Sequence, residues 1–315
     1  MAANAWEGFD LPIEDQPHLL DRHGPLFITG CPRSGTTFLS GAINAIPTIE
    51  QFNGVLAPPR MMHRIGQRYA AGESVEQQLQ IMRDVFWNAF VRRCTFFNER
   101  VGAVARARRG LLALARPGTI EGRTMLYKEP FIAFAMEPIV AHFESSRILH
   151  IVRDGRDNAD SLDRSYRHAL SDEVLSDPFL SAQKNSEIGP FHTIDGFNYP
   201  WWVAEDEREF FRASSKYVRN VMMWREMTQR IVEAGRNLPP ARYLQIRYED
   251  MIHDREGAAR AISGFLGGSP LRHLHRGLKD AHEQSIGVHR RNQSTPEIDA
   301  ANRVAGPLLE QLGFA

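Results

Sequence analysis

Short apolar runs separated by helix-like segments recur along the chain. Four runs have the character of buried strands: 25–30 (PLFITG), 124–130 (TMLYKEP), 146–154 (SRILHIVRD) and 241–250 (ARYLQIRYED). Each is followed by a segment with helical periodicity, at 37–46, 131–143, 157–168 and 255–266. Strands that alternate with helices pair in parallel, and helices then cover both faces of the sheet. The pattern predicts an α/β fold with a central parallel sheet flanked by helices.

Residues with capping propensity support two of the later helices. Asp254 is suited to begin a helix, and the glycine pair 267–268 is suited to end it. Ser294, with Glu297 three residues later, predicts the start of a last helix that ends near Gly313. Ligands of such folds bind outside the carboxyl ends of the strands, so the residues just after each strand are the candidates for chemistry.

Two stretches fit the strand–helix alternation poorly. Residues 52–123 are mostly helical in character and carry an arginine-rich part, 92–116. We interpret that part as a solvated helix face, with an anion-binding patch as the alternative. Residues 171–204 mix turn formers with aromatic residues and look irregular, which suggests a cover over a binding site or, alternatively, the packing of a peripheral subdomain.

Composition and charge exclude several classes of function. The 315 residues are 43% hydrophobic, and 38 Lys and Arg balance 38 Asp and Glu. This balance gives no overall field toward nucleic acid or acidic membranes. Cys31 and Cys94 cannot form a disulfide framework or a zinc site by themselves. No apolar run approaches the ~20 residues that span a bilayer, and the N-terminus lacks the pattern of a signal peptide. We expect a soluble, cytoplasmic protein with no nucleic-acid partner.

Residues 30–37 have the spacing of a phosphate-binding loop. Gly30 and Gly35 stand as in G-x-x-x-x-G-K-[ST], but Thr36 replaces the lysine, Thr37 keeps the hydroxyl position, and Arg33 lies inside the loop. Backbone N–H groups of such a turn and of the following helix bind anions. Without the lysine the loop is poorly suited to triphosphate hydrolysis. The alternative is a strand–turn–helix that uses its glycines for packing.

A second cluster follows the third predicted strand. Arg153 comes at the end of that strand, and Ser161 follows eight residues later, within the next helix. A guanidinium and a hydroxyl placed in this way could hold a second phosphate. The alternative is a surface network of salt bridges among Arg153, Asp154, Arg156 and Asp157.

Together the two motifs resemble those of the sulfotransferase family, which uses 3′-phosphoadenosine 5′-phosphosulfate (PAPS). The stretch CPRSGTTFL (31–39) is similar to the 5′-phosphosulfate loop of that family, and IVRDGRDNADS (151–161) resembles its 3′-phosphate motif. The stretches 247–267 (RYEDMIHDREGAARAISGFLG) and 289–294 (HRRNQS) resemble later segments. The resemblance covers about 25–315.

The resemblance implies a fold, a cofactor and a set of site residues. It implies a P-loop-like sulfotransferase fold, in a single domain of residues 1–315, that uses PAPS, releases 3′,5′-adenosine bisphosphate (PAP) and requires no metal. The implied nucleotide-binding residues are Ser34, Gly35, Thr36 and Thr37 for the 5′-phosphate, Phe38 for adenine, Arg153 and Ser161 for the 3′-phosphate, Tyr248 for the nucleotide, and Arg290 or Arg291 as a cover of the 3′-phosphate. Arg33 would lie over the bridging oxygen and the sulfonate, where charge develops. Core elements would be 25–50, 124–168 and 241–315, with helical or irregular acceptor-side insertions at 52–123 and 169–225.

Lys128, at the end of the second predicted strand, matches a lysine that members of the family carry. It would act beside the sulfonate as a second cation or as the acid for the leaving group. The alternative is a strand-terminal lysine paired with Glu129. Because side chains alternate along a strand, Glu129 is expected to face away from whatever Lys128 faces.

The general base is the point where the sequence departs from the family. Residues 52–55 (FNGV) hold no acid where relatives often have a glutamate, and Pro130 stands where others have a histidine. The remaining candidates are Glu50, His63 and Glu129, of which we prefer Glu50.

These observations predict a sulfotransferase that acts on a hydroxyl or amine of a small-molecule or glycan acceptor. The alternatives are a nucleotide kinase or NTPase with an altered loop, and a non-catalytic nucleotide-binding scaffold. The aromatic residues of 179–202 favour a partly apolar acceptor, whereas the arginines of 92–116 favour an anionic one. A homodimer is possible.

Overall fold

A five-stranded parallel sheet forms the centre of the molecule. The computed structural model describes residues 24–53, 57–91, 122–165, 170–268, 271–280 and 283–314. Their strands are β1 (Leu26–Thr29), β2 (Ile49–Asn53), β3 (Thr124–Lys128), β4 (Arg147–Val152), β5 (Phe191–Ile194), β6 (Phe197–Pro200) and β7 (Tyr243–Arg247). The order in the sheet is β2-β3-β1-β4-β7, with every pairing parallel, and β5 and β6 form a separate antiparallel hairpin. The predicted α/β fold with a parallel sheet is confirmed.

Helices connect the strands and cover the sheet. They are α1 (Thr36–Asn44), α2 (Pro59–Ala70), α3 (Glu76–Val91), α4 (Met136–His142), α5 (Gly155–Ser165), α6 (Asp172–Ser176), α7 (Pro178–Ile188), α8 (Arg208–Ala213), α9 (Lys216–Arg236), α10 (Asp250–His253), α11 (Arg255–Phe265), α12 (Leu271–Gly277), α13 (His289–Asn292) and α14 (Thr295–Gln311). Short 3₁₀ helices occupy Pro130–Ala135, Glu205–Glu207, Leu278–Asp280 and Glu283–Ser285. None of the helices in the described ranges is both long and apolar enough to cross a membrane.

Alternation along the strands divides the core between the two faces of the sheet. Phe27 and Tyr127 belong to a cluster that includes residues of α2, α3, α4 and α9. Ile28 and Leu126 belong to a second cluster, with residues of α1 and α11. Because all five strands are parallel, their carboxyl ends meet at one edge. The residues that follow β1, β3, β4 and β7 are thereby brought together.

The helix ends follow the capping signals. The Asp254 carboxylate accepts a hydrogen bond from the Gly257 N–H at 2.9 Å, at the start of α11. Ser294 and Glu297 form a capping box at the start of α14. Both predicted helix starts are confirmed. The N–H groups of the first helical turn have no carbonyl partner within the helix, and the capping side chains accept hydrogen bonds from them.

The prediction of an irregular segment over 171–204 was wrong. Most of this stretch is regular: α6 and α7 are followed by the β5–β6 hairpin. The hairpin turns at Asp195 and Gly196, whose φ angles of 47° and 72° suit the Asp-Gly pair that two-residue hairpin loops favour. The aromatic residues Phe197 and Tyr199 are buried and pack near Phe211, so they serve the core of this subdomain.

Two other local predictions were incomplete, and a third falls on residues that the structure does not describe. β2 was missed because its residues, IEQFN, include the polar Glu50 and Gln51 and form no apolar run. The segment 131–143 is a 3₁₀ helix followed by α4, instead of one continuous helix. The arginine-rich part 92–116 and Cys94 lie outside the described residues.

Candidate functional site

A cavity of about 950 Å³ opens beside the carboxyl ends of β1 and β4. It lies between the loop that precedes α1, the α5 helix and the segment around α13. The residues predicted from the sequence that line it are Arg33, Gly35, Thr36, Thr37, Phe38, Arg153, Ser161, Tyr248 and Arg291. The two motifs, more than a hundred residues apart in sequence, therefore face the same space.

Two glycines let the loop pack closely against its neighbours. A Cβ on Gly30 would lie 2.1 Å from the Ile151 carbonyl oxygen, and one on Gly35 would lie 2.9 Å from Cδ2 of Tyr248. Both residues have positive φ, 152° and 104°. Glycine adopts such φ angles without steric strain, and it leaves room for the backbone to approach its neighbours. The packing reading of the glycines is therefore correct, and it does not exclude an anion site at the same loop.

Arg33 has an unusual backbone for a residue with a side chain. Its φ is 74°, in the left-handed region that disfavours L-residues other than Asn, Asp and Gly. The side chain is exposed to the cavity, and its Nε donates to Ser161 Oγ at 3.2 Å. The Arg33 carbonyl accepts from Arg153 Nη1 at 3.2 Å. Backbone strain of about 1–3 kcal/mol persists mainly at functional sites, where the surroundings hold it in place.

Two of the buried donors at this edge of the sheet lie at the predicted motifs and have no hydrogen-bond partner among the described residues. They are the hydroxyl of Ser34, whose residue is 1% exposed, and Nε of Arg153, whose residue is 5% exposed. Buried polar groups are rarely left without a partner. One donor lies in the loop and the other at the end of β4. An oxyanion bound at this edge fits both.

Arg153 takes no part in an ion pair with the acidic residues that follow it. Its Nη2 donates to the Ser285 carbonyl, and its guanidinium lies 5.4 Å from the centre of the Tyr248 ring. It is Arg156 that pairs with Asp154, at 2.8 Å. The alternative of a salt-bridge network thus describes Arg156, whereas Arg153 faces the cavity.

A sequence model of the Sulfotransferase family matches residues 25–182 and 203–269, well over half of the chain. The chain belongs to the sulfotransferase family. The matched ranges include the loop, Lys128 and the motif at 151–161. No individually curated protein gives a significant match.

Several solved sulfotransferases resemble this one over most of its length. The sulfotransferase domain of the Synechococcus PCC 7002 olefin synthase is 18% identical, with 90% of this chain and 94% of that domain covered, at a TM-score of 0.44. The sulfotransferase domain from the curacin biosynthetic pathway is 16% identical, covering 90% and 97%, at 0.47. Mouse sulfotransferase SULT7A1, complexed with PAP, is 14% identical, covering 94% and 90%, at 0.44.

Sequence reasoning missed part of the cavity of this sulfotransferase. Gln284, Ser285 and Asn292, from the C-terminal segment, and Arg164 and Ser165, from α5, also line it. Arg164 lies three residues after Ser161 on the same helix, so the helical repeat could have indicated it. Of the two arginines predicted to cover the site, Arg291 lines the cavity, and Arg290 is exposed and lies outside the lining.

Lys128 lies at the carboxyl end of β3. It pairs in register with Ile28 of β1 and Asn53 of β2, so its side chain shares the sheet face of Ile28, which α1 covers. The residue is half-buried and does not belong to the lining of the cavity. Among the described residues Lys128 and Glu129 form no ion pair. Burial raises the pKa of the Glu129 carboxyl, and the charge of Lys128 acts in the opposite direction.

Glu50, the preferred base in the sequence analysis, is engaged elsewhere. Its carboxylate accepts two hydrogen bonds from Arg123, one from Nε at 2.7 Å and one from Nη2. On β2 it lies three residues before Asn53, the partner of Lys128. Three residues of strand span about 10 Å. This placement argues against Glu50 as a base beside Lys128.

His63 is fully buried between aromatic rings. Its ring centre lies 5.3 Å from that of Phe131 and 4.5 Å from that of Phe134. Its Nδ1 accepts a hydrogen bond from Trp201 Nε1 at 3.1 Å. The histidine therefore joins α2 to the residues after β6, which is a structural role.

Glu129, the third candidate, is buried directly after β3. One of its carboxylate oxygens, Oε1, accepts from the Phe131 N–H at 3.1 Å, at the start of the 3₁₀ helix. Burial raises its pKa from 4.5 to about 7, although the Phe131 N–H and Lys128 act in the opposite direction. A buried carboxyl with a pKa near neutrality is suited to proton transfer at physiological pH.

Proposed function

We propose that this sulfotransferase moves a sulfuryl group from PAPS to a hydroxyl or amine of a small-molecule or glycan acceptor. The observation that carries the proposal is the single cavity lined by both motifs, with the rings of Phe38 and Tyr248 beside them. A nucleotide with anionic groups at both the 5′ and the 3′ positions would present one group to each motif. The unpartnered donors of Ser34 and Arg153 support an anion at this edge.

The residues of the chain divide the work of binding. The backbone N–H groups of 35–37, with the hydroxyls of Ser34, Thr36 and Thr37, would hold the 5′-phosphate at the N-terminus of α1. Arg153, Ser161 and Arg291 would hold the 3′-phosphate. When bound, PAPS supplies an activated sulfuryl group on a good leaving group.

Arg33 and Lys128 would supply positive charge at the reacting end of the site. Lys128 is the last residue of β3 and Arg33 comes four residues after the neighbouring strand β1, at the same edge of the sheet. Sulfuryl transfer, by analogy with phosphoryl transfer, is accelerated mainly by in-line placement and by stabilisation of developing negative charge. Arg33 stays ionised at any working pH, so its role is electrostatic.

Glu129 replaces Glu50 as our proposed general base. Lys128 is on the face of the sheet that α1 covers. Two residues before Glu129, Tyr127 is on the opposite face, where α2, α3 and α9 pack. Alternation puts Glu129 on the face of Tyr127. Burial raises the pKa of that tyrosine, and the charge of Glu129 raises it further. A cation on the nucleotide side and a carboxylate on the acceptor side would then flank the point of transfer.

Isothermal titration calorimetry tests the nucleotide assignment. We expect PAP to bind in the presence of EDTA, and to bind more tightly than AMP, which lacks the 3′-phosphate. ATP binding that requires Mg²⁺, without PAP binding, would support the kinase or NTPase alternative. PAP binding without transfer of labelled sulfate to any acceptor in a broad screen would support the non-catalytic scaffold.

Replacing Arg153 with alanine should weaken PAP binding. A lost charge-assisted contact is worth about 1.5–3 kcal/mol, a factor of roughly ten to a hundred in Kd. AMP affinity should fall less, because AMP has no 3′-phosphate. Arg156→Ala is the matched control, since Arg156 lies three residues further on and pairs with Asp154 outside the cavity lining. Equal PAP affinity of the Arg153 variant and the wild type would place the 3′-phosphate elsewhere.

A further inference from the structure

A short C-terminal segment covers one side of the cavity. This cover segment, Glu283–Gln293, contributes Gln284, Ser285, Val288, Arg291 and Asn292 to the lining. It contains little regular structure beyond one 3₁₀ turn and the four-residue α13. Its position must therefore be fixed by contacts with the rest of the protein.

The first fixed point is Asp157, on α5. Its carboxylate accepts hydrogen bonds from the Gly287 N–H at 2.6 Å, the His289 N–H at 3.1 Å and the His289 ring Nδ1 at 2.5 Å. Asp157 is 1% exposed and His289 is 2% exposed. Burial by itself would raise the pKa of Asp157, but the hydrogen bonds from His289 and Gly287 lower it below its usual value. The carboxylate is thus held in its ionised form.

The second fixed point is Asp160, one turn further along α5. It is completely buried, and its two oxygens accept from Asn292 Nδ2 at 3.1 Å and from Gln293 Nε2 at 2.8 Å. Arg164 also donates to Asp160, at 3.1 Å. Asp157 and Asp160 therefore form one row on α5 that holds the cover segment, while Ser161 and Arg164 form the adjacent row that lines the cavity.

Two buried carboxylates beside an anion site are unfavourable on charge alone. A negative charge near a bound phosphate weakens its binding, and the penalty is larger away from water. Their presence next to Ser161 is explained if holding the cover segment in place favours nucleotide binding by more free energy than their repulsion of the phosphate costs. A segment already held in its bound position loses less conformational freedom when the ligand binds.

We propose that Asp157 and Asp160 are positioning residues, which fix the cover segment over the 3′-phosphate subsite and so set the preference for 3′-phosphorylated nucleotides. The inference rests on the proposed function. Arg291 reaches the cavity from this segment, and Arg153 donates to the Ser285 carbonyl. Loosening the segment would disturb both arginines of the subsite, while the loop at 30–37 would be left in place.

The variants Asp157→Asn and Asp160→Asn test the proposal because charge and position predict opposite signs. If charge dominated, removal of a carboxylate would tighten PAP binding. If position dominates, PAP affinity by calorimetry falls by about tenfold or more, the order of a lost charge-assisted hydrogen bond. AMP affinity should change little. In turnover assays the KM for PAPS should rise while kcat stays nearly constant.

Glu256→Gln serves as the control. It removes an acid from an exposed pair with Arg260 on α11, at 2.6 Å, and neither residue belongs to the lining of the cavity. If both aspartate variants fail to fold, Gln293→Ala tests the proposal instead. It removes one hydrogen bond between the cover segment and Asp160 and keeps both aspartates in the sequence. Like the aspartate variants, it should lower the ratio of PAP affinity to AMP affinity.

The outcomes separate the two proposals. A wild-type protein that does not prefer PAP to AMP would overturn the proposed function. A wild type that prefers PAP, with an unchanged or increased preference in the folded variants, would overturn the role of the two aspartates alone.

Discussion

Replacing Arg33 with glycine is expected to lower kcat by about 10²–10³-fold, the loss typical for one electrostatic group at a transition state, with little change in fold stability. Arg33 holds a φ of 74°, which disfavours an arginine by about 1–2 kcal/mol and suits glycine. The greater freedom of glycine in the unfolded chain opposes that gain. Steady-state turnover with labelled PAPS and urea unfolding measure the two effects separately.

The hairpin turn offers a matched control for Arg33→Gly. Asp195 also has positive φ, 47°, and lies in the turn between β5 and β6, outside the lining of the cavity. Asp195→Gly should change stability by a similarly small amount and leave kcat unaltered. Arg33→Lys keeps a charge but loses the guanidinium geometry, so an intermediate kcat is expected. Turnover of Arg33→Gly close to that of the wild type would remove Arg33 from the chemistry.

The part of the candidate site that carries the two motifs could be predicted from sequence because its signals are local. Gly30, Gly35 and the hydroxyls that follow lie in one loop and the first turn of α1. Arg153 comes directly after β4, and Ser161 lies in the next helix, α5. Spacing of this kind survives in the fold because a strand–loop–helix unit has few alternatives. The structure brings both motifs to one cavity.

The rest of the site depends on tertiary placement. Ser285 and Gln284 carry no motif, and they line the cavity from a segment that donates hydrogen bonds to Asp157 and Asp160. The sequence did not indicate that Glu50 has Arg123 as a partner, because the two residues are 73 positions apart.

Glu129 illustrates how a correct local rule can lead to an incomplete conclusion. Alternation predicts that Glu129 faces away from Lys128. The register of β3 agrees, because it places Lys128 on the face of Ile28. Away from the lysine, however, means toward the face on which α2, α3 and α9 pack. The alternation rule does not predict which helices pack on that face, because their packing depends on tertiary structure. A residue that faces away from the proposed nucleotide site can therefore still face the proposed acceptor side.

Replacing Glu129 with glutamine is expected to lower kcat by about 10²–10⁴-fold, the range for a lost general acid–base group. In the wild type, burial raises the pKa of this carboxyl to about 7, so kcat/KM should rise with pH through about 7 as the base form appears. The variant should lack this rise.

The raised pKa also means that the folded wild type loses stability as pH increases from 4.5 to about 7, because the folded state binds the proton more tightly than the unfolded one. Urea unfolding of Glu129→Gln should show a weaker dependence over that window. Glu50→Gln, which affects the ion pair with Arg123, should destabilise the fold but keep the rise in activity. Retention of the rise in Glu129→Gln, or its loss in a folded Glu50→Gln, would assign the base to another residue.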